Sequence, residues 1–325
     1  MDKILTVFTP SYNRKHTINR TYESLCRQTC MEFNWLIIDD GSSDGTREWV
    51  ESLGEKVVTK GVVFDWMGRK LSSESDNHFV IESLGDSPMR IEYVYKPNGG
   101  LYTGYNVAYA LIETELCVCI DSDDYVPDDL VEKIAKRWNS RDKKIDYCGI
   151  VGLDYNVVDK KPIGGEFAEG IFSGYYFDVK NGGDTKEVLR TDLLRAVSPM
   201  IGFEGEKDFN PFYMTSQVLD KYLILVENTI FCWVEYQIGL DSMSQAIFKQ
   251  YKRSPKSYVK YRLNEMKLSR YCNIKDRIRI CVHYVSACIF AKDVDWLKKS
   301  PLKIITLLSL PIGIVLNFYV RYKAK

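Results

Sequence analysis

Long apolar runs alternate with stretches of helical period along the first half of the chain. "KILTVFTP" reads as a buried strand ending at Pro10, and "RKHTINRTYESLCRQT" follows with helical spacing at Ile18, Tyr22 and Leu25. "FNWLIIDD" predicts a second buried strand, and "SSDGTREWVESL" a second helix with Asp44 as its cap. "MRIEYVYK" is a third strand, "GGLYTGYNVAYALIE" a helix and "ELCVCIDS" a fourth strand. Pro127 then opens the helix "PDDLVEKIAKRW", with Asp128 and Asp129 in its first turn, where acids favour the helix dipole. "KIDYCGIVGLDY" is a fifth strand. Strands alternating with helices predict an α/β fold with a doubly wound, mostly parallel sheet.

Residues 54–90 interrupt this rhythm and are expected to form an inserted hairpin or flap. From 160 to 240 the pattern is irregular and aromatic, with Gly164-Gly165 and Gly182-Gly183 as turn signals. The tyrosines of "GYYFDVK" in that stretch read first as packing residues. A helical extension is expected over 241–300, where "NIKDRIRICVHYVSACIFAKD" carries an apolar stripe. The last segment, 301–325, is apolar over 304–320, broken by Pro311 and flanked by lysine and arginine on both sides. It is short for a clean membrane span, and its basic flanks suit a segment lying at an anionic membrane face; a buried helix pair is the alternative. The expected organisation is thus a catalytic unit over 1–240, the helical extension, and the membrane-associating end.

Composition narrows the function. Lys+Arg and Asp+Glu are equal at 44 each, so nothing points to a nucleic-acid partner. The nine cysteines are odd in number, scattered and without zinc spacing, which predicts reduced structural thiols in a cytosolic setting. No secretory signal opens the sequence. His16, His78 and His283 stand apart and suggest no metal site.

Three strand ends carry polar punctuation: "TPSYNR", "DDGSSDGT" and "DSDDY". In an open parallel sheet ligands bind beyond the carboxyl ends of the strands, so Tyr12, Asp39, Asp40, Asp121 and Asp123 are expected to converge if those strands are neighbours. Asp121-Ser122-Asp123 places two carboxylates just past a strand, which suits a hard divalent ion completed by substrate phosphates. A calcium loop is excluded, because its obligatory glycine position holds Val126 and Pro127 begins a helix inside it. "DDGSSDGT" is neither a Walker loop nor a dinucleotide fingerprint.

The three segments "TVFTPSYNR", "LIIDDGSSDGT" and "NGGLYTGYNVAYALIETELCVCIDSDDYVPDDL" together resemble the family 2 glycosyltransferases, whose GT-A fold is Rossmann-like. The resemblance is close over residues 3–135. It is looser at "GEKDFNPF" and "VEYQIGLDSMS", which are similar to acceptor-side segments of bacterial members that build surface polysaccharides. It implies an inverting enzyme that uses a nucleotide-sugar, usually linked to uridine diphosphate. Pro10, Tyr12 and Arg14 would line the nucleotide site, Asp40 would bond the uracil edge with Asp39 behind it, and Asn98, Asn106 and Ser122 would complete the set. Asp121 and Asp123 would form the D-x-D motif around Mn2+ or Mg2+. The general base would be Glu206, with Asp208 and Glu204 as the other candidates. The acceptor would be a glycan, carried on a polyprenyl diphosphate, met at the inner face of the cell membrane by an otherwise cytoplasmic protein. Oligomeric state is left open, a homo-oligomer included.

Two positions depart from the family pattern. Leu101 and Tyr102 stand where many relatives have Lys-His, so a phosphate-contacting cation would have to come from Lys96, Arg69 or Lys70. Phe212 follows Pro211 where a glutamate is common. A nucleotidyltransferase and a non-catalytic nucleotide-sugar-binding subunit are the rival readings. The first wants a glycine-rich basic loop after the first strand, and the second has no need of the paired aspartates.

Overall fold

The structure, a computed structural model, describes residues 3–58, 62–71, 76–82, 89–168, 183–235, 247–268 and 272–324. The stretch "GYYFDVK" and most of "VEYQIGLDSMS" lie outside them. The strands are β1 (Leu5–Ser11), β2 (Phe33–Asp39), β3 (Glu55–Val58), β4 (Val63–Phe64), β5 (Lys70–Leu71) and β6 (His78–Glu82). They continue as β7 (Arg90–Tyr95), β8 (Leu116–Cys119), β9 (Tyr147–Asn156), β10 (Lys161–Pro162), β11 (Thr185–Arg190) and β12 (Leu223–Val234). The helices are α1 (Lys15–Cys26), α2 (Thr46–Glu51), α3 (Leu101–Leu111), α4 (Leu130–Asn139), α5 (Thr191–Val197) and α6 (Phe212–Leu219). The C-terminal set is α7 (Ile247–Arg253), α8 (Pro255–Lys267), α9 (Ile274–Ala291), α10 (Trp296–Lys299), α11 (Lys303–Leu308) and α12 (Leu310–Lys323).

The main sheet runs β10-β9-β11-β8-β1-β2-β7-β6-β3, with β12 also paired to β9. Its centre, β8-β1-β2-β7, is parallel. All seven residues of β1 are buried, because helices cover both faces of the sheet; such strands read as continuous apolar runs rather than alternations. Antiparallel strands flank the centre on both sides, β6 and β3 beyond β7, and β11 and β9 beyond β8.

One hydrophobic cluster fills each face. Leu5, Val7, Trp35 and Ile37 pack under α1, α2 and α4. The buried residues of α4, Leu130, Val131, Ile134, Ala135 and Trp138, form a helical stripe. Phe8, Leu36 and Ile38 face the other way, onto α3, and that cluster continues through Leu194, Met214 and Val259 to Ile280 and Tyr284. The helices from Ile247 onward share this core with the sheet.

Within 54–90 the β4–β5 hairpin forms a small sheet of its own, while β3 and β6 extend the edge of the main sheet. One expectation needs correction. The helix after Pro127 begins at Leu130, so Asp128 and Asp129 precede it; they ion-pair with Arg27 at 3.1 Å and Lys133 at 2.9 Å. Asp44 caps two helices at once, accepting from Lys15 N at 2.9 Å and Thr46 N at 3.1 Å. All nine cysteines are free thiols. His78 bonds Glu92 at 2.7 Å and His283 bonds Tyr251 at 2.8 Å.

Two stability predictions follow from this packing. A Cβ added at Gly152 would lie 2.2 Å from the Phe231 ring, so Gly152→Ala should cost about 1–3 kcal/mol in chemical denaturation. Burial, helped by Arg262 and Arg279, pushes the His283 imidazole down to about 3, so the folded state stays neutral where the unfolded chain takes a proton. Stability should therefore fall as pH drops from about 6.5 toward 3, and less steeply in His283→Gln when the two denaturation curves are compared.

Candidate active site

β8, β1 and β2 are neighbours, with Phe8 level with Cys119 and Ser11 level with Asp39. Their carboxyl ends lie side by side, at the edge where ligands bind in this type of sheet. Tyr12, 50% exposed, stands just past β1. The loops after β1 and β2 are stitched together by Asn13, which donates its N–H to Ser42 Oγ at 2.9 Å and accepts from Ser43 N at 2.9 Å.

The acidic loop after β8 is held by its backbone. Thr21 Oγ1 of α1 donates to the Asp124 carbonyl at 2.6 Å, and Arg20 donates to the Asp123 carbonyl. Ser24 Oγ accepts from Val126 N at 3.2 Å, and Gln28 bridges the Pro127 carbonyl and Val131 N at 2.7 and 3.0 Å. Tyr125 pairs with Trp233 of β12 through both backbone groups. These clamps use peptide groups: among the described residues neither Asp121 nor Asp123 has an ion-pair partner, Asp121 is exposed, and its Oδ1 accepts from Cys119 Sγ at 3.7 Å. Burial, then the charge of Asp121, raises the Asp123 carboxyl, while Arg14 and Arg20 oppose that rise. Two like charges kept this close are costly unless a positive charge relieves them. Oxygen donors of this kind fit Mn2+ or Mg2+. Among the described residues no group of three or more His, Cys, Asp or Glu side chains is arranged to hold an ion.

Behind this pair lies a cluster that sequence reading missed. Asp124 is 5% exposed, and burial raises its carboxyl with Lys186 acting against the rise. Asp154 sits 3.6 Å from Lys186 Nζ, with both side chains nearly enclosed. Cys232 Sγ points at Asp124 Oδ2 from 3.7 Å. The available signal was an acid inside an apolar strand, "VGLDY", opposite a lysine in "TKEVLR".

The acids after β2 are placed differently. Asp39 is fully buried and accepts from Ser42 N at 2.7 Å and Tyr93 OH at 2.7 Å. Asp40 accepts from Gly99 N at 2.9 Å, Gly100 N at 2.8 Å, Asn98 Nδ2 at 3.2 Å and the ammonium of Lys96. Lys96 is fully buried and also bonds the Pro97 carbonyl and Thr103 Oγ1 at 2.8 Å each. Its three protons are thereby taken, so it cannot supply the phosphate-contacting cation; Arg69 is paired with Asp65 at 2.7 Å. Asn98 carries the network on to Lys207 at 2.5 Å. Asn106 bonds Met67 O at 3.1 Å and both backbone groups of Met200, joining the β4–β5 hairpin to the acceptor-side loop. Gly41 (φ +87) and Gly100 (φ +96) have room for no Cβ, which would meet Asn98 N at 2.8 Å and Lys207 O at 2.1 Å. Asp39, Asp40, Asn98 and Asn106 thus support the strand ends from behind; Pro10 is buried within β1, whereas Tyr12, Arg14 and the buried Ser122 follow the ends of β1 and β8.

Both favoured base candidates are also engaged. Glu206 is buried and caps α8, accepting from Lys256 N at 3.0 Å and from Ser257 N and Oγ at 2.7 Å each. Asp208 holds Arg253 through Nε at 2.6 Å and accepts from Ser254 Oγ at 2.8 Å. Glu204 is exposed on the same loop.

Strand ends and paired acids define the GT-A class of α/β fold, and solved structures agree. Over its whole length the chain superposes on 88% of Staphylococcus aureus TarS 1–349 in complex with UDP-GlcNAc, with a TM-score of 0.56 at 16% identity. It superposes on 84% of the mannosyltransferase PcManGT from Pyrobaculum calidifontis in complex with GDP-Man and Mn2+, with a TM-score of 0.51 at 14% identity. The family model Glycosyl transferase family 2 matches residues 6–63 and 73–191, more than half of the chain, which therefore belongs to that family. Among curated proteins it is similar to the chondroitin synthase of Pasteurella multocida, 26% identical over 135 residues, or 42% of this chain and 11% of the relative. It is also similar to the Escherichia coli UDP-Glc:alpha-D-GlcNAc-diphosphoundecaprenol beta-1,3-glucosyltransferase WfgD, 41% identical over 46 residues, or 14% of this chain and 18% of the relative. The chain spans only about a tenth of the length of the first of these relatives.

Substitution should separate the two kinds of acid. Asp40→Ala leaves the Lys96 ammonium buried and unpaired and should destabilise by about 3–5 kcal/mol in denaturant titrations. Asp121→Asn removes a repelling charge and should leave the unfolding midpoint unchanged or raised.

Proposed function

We propose that this family 2 member is an inverting, metal-dependent glycosyltransferase that moves a sugar from a uridine-diphosphate donor to a glycan acceptor carried on a polyprenyl diphosphate. The observation that carries the reading is the Asp121/Asp123 pair, its loop held at the strand ends by backbone bonds with both carboxylates outside any ion pair. Asp121 and Asp123 would hold Mn2+ or Mg2+, which when bound neutralises charge developing on the departing diphosphate. Tyr12, with its ring half exposed, would stack on the base, and Arg14 would meet the phosphates. Asp40 and Asn98 would act by fixing the loop that receives the nucleotide. Of the three candidate acids Glu204 would be the base, a reading supported by the bonds that Glu206 and Asp208 already make to α8 and Arg253. Glu204 would take the proton of the acceptor hydroxyl as that oxygen bonds to the anomeric carbon and the nucleoside diphosphate leaves from the opposite face. The names of TarS and WfgD support the uridine nucleotide, and that of WfgD the lipid-linked acceptor. The setting would be bacterial surface-polysaccharide synthesis, with the protein peripheral to the inner face of the membrane.

Calorimetry of uridine diphosphate with and without manganese tests the donor site. Binding should require the metal in the wild type and vanish in Asp123→Ala; metal-independent binding that survives the substitution would overturn the reading. For the base, Glu204→Gln should lower kcat by about 10²–10⁴ while donor affinity is retained, and Glu206→Gln should lower the melting temperature instead.

A further inference from the structure

The C-terminal helices are amphipathic in the wrong sense for water. Thr306, Ser309 and Asn317, exposed by 0, 2 and 3%, face inward with Gly313. Thr306 Oγ1 bonds Ser300 Oγ at 2.7 Å, Asn317 Nδ2 donates to Ser286 O of α9 at 3.1 Å, and a Cβ at Gly313 would lie 2.5 Å from Val285 Cγ1. The small and polar side is thus the packed one. The opposite side carries Ile304, Leu308, Ile312, Val315, Phe318 and Tyr322 at helical spacing across both α11 and α12, and each is 56–77% exposed. A continuous apolar stripe of this kind marks a surface that meets something other than water.

The rim says what that is. No acidic residue occurs from Lys298 to the end of the chain, whereas Lys298, Lys299 and Lys303 lie before the stripe and Arg321 and Lys323 at its end. Lys299 is paired with Asp293 at 2.7 Å; Arg321 lies over the Phe290 ring and bonds Asn317 at 2.7 Å. Two copies meeting on this face would set cation against cation with no acid on the segment to relieve them. No helix among the described residues is long and apolar enough to cross a membrane. We infer that α11 and α12 lie in the plane of an anionic lipid monolayer, with the stripe among the acyl chains and the basic rim at the headgroups.

The face is coupled to the candidate site. Phe248 of α7 packs edge-on against Tyr319 of α12, with centroids 5.6 Å apart, and Arg253 at the other end of α7 holds Asp208. Seven residues of helix, about 10 Å, separate the monolayer face from the acceptor-side loop. That this serves delivery of a lipid-linked acceptor rests on the function proposed above; the lipid binding itself does not.

Sedimentation of the intact chain with vesicles tests the inference. The protein should pellet with vesicles of phosphatidylcholine and phosphatidylglycerol, and not with phosphatidylcholine alone. Val315→Glu/Phe318→Glu should abolish pelleting, and Arg321→Gln/Lys323→Gln should weaken it by about thirtyfold. Both variants change exposed side chains and should keep wild-type binding of uridine diphosphate. Wild-type protein left in the supernatant with anionic vesicles would overturn the inference. So would a stable oligomer in sedimentation velocity that Val315→Glu dissociates, which would assign the stripe to a second copy. Pelleting by a protein that transfers sugar only to water-soluble acceptors would uphold the membrane face and reject the lipid-linked acceptor.

Discussion

Aspartates crowded at the end of β8 repel one another, and the surrounding structure is arranged to hold them together without discharging them. Helix α1 supplies Arg20, Thr21 and Ser24 to the loop, the residues just after it supply Gln28, and each of them bonds a peptide group. Had the same side chains bonded the carboxylates, the loop would be as rigid, but Asp121 and Asp123 would be neutralised and useless toward a cation. The repulsion is therefore retained in the folded protein, as the function proposed above requires.

The acids after β2 show the opposite arrangement. Asp40 gathers one buried ammonium and two backbone N–H groups, and its geometry determines the turn from Lys96 to Gly100 and the start of α3. The turn does not depend on the side chains of Leu101 and Tyr102 for these bonds. The loop that follows α5 is built in the same way. Glu206 and Asp208 bind it to the α7–α8 junction, and the C-terminal helices share the core of the sheet. A change in how α12 is seated would reach that loop through α7.

Much of the fold was legible from sequence because buried parallel strands have an unmistakable signature. "LTVFTPS" and "FNWLIID" are apolar throughout, and each ends in polar residues at the point where the sheet meets solvent. Asp121 and Asp123 were legible as candidates for the same reason: they stand directly after a buried strand. β3 and β6 were not legible because they are short edge strands whose place is set by pairing outward from β7, a long-range contact without a local pattern. The cluster of Asp124, Asp154 and Lys186 was missed because its members are far apart in sequence and meet only across β8, β9 and β11.

The sequence by itself determined the α/β class, the family, the order of the central strands' polar ends and the acids available at them. Periodicity and composition are local properties, and they are sufficient for that much. Only the tertiary structure decided which acids stay free. Asp40 and Asp121 follow equally apolar strands and look alike in one dimension, but whether a carboxylate is consumed depends on donors brought to it from Lys96, Gly99 and Gly100 in one case and withheld in the other. The orientation of the C-terminal stripe was settled in the same way. The apolar content of 304–320 is visible in the sequence, but whether it faces in or out is set by the close approach of Gly313 and Asn317 to α9.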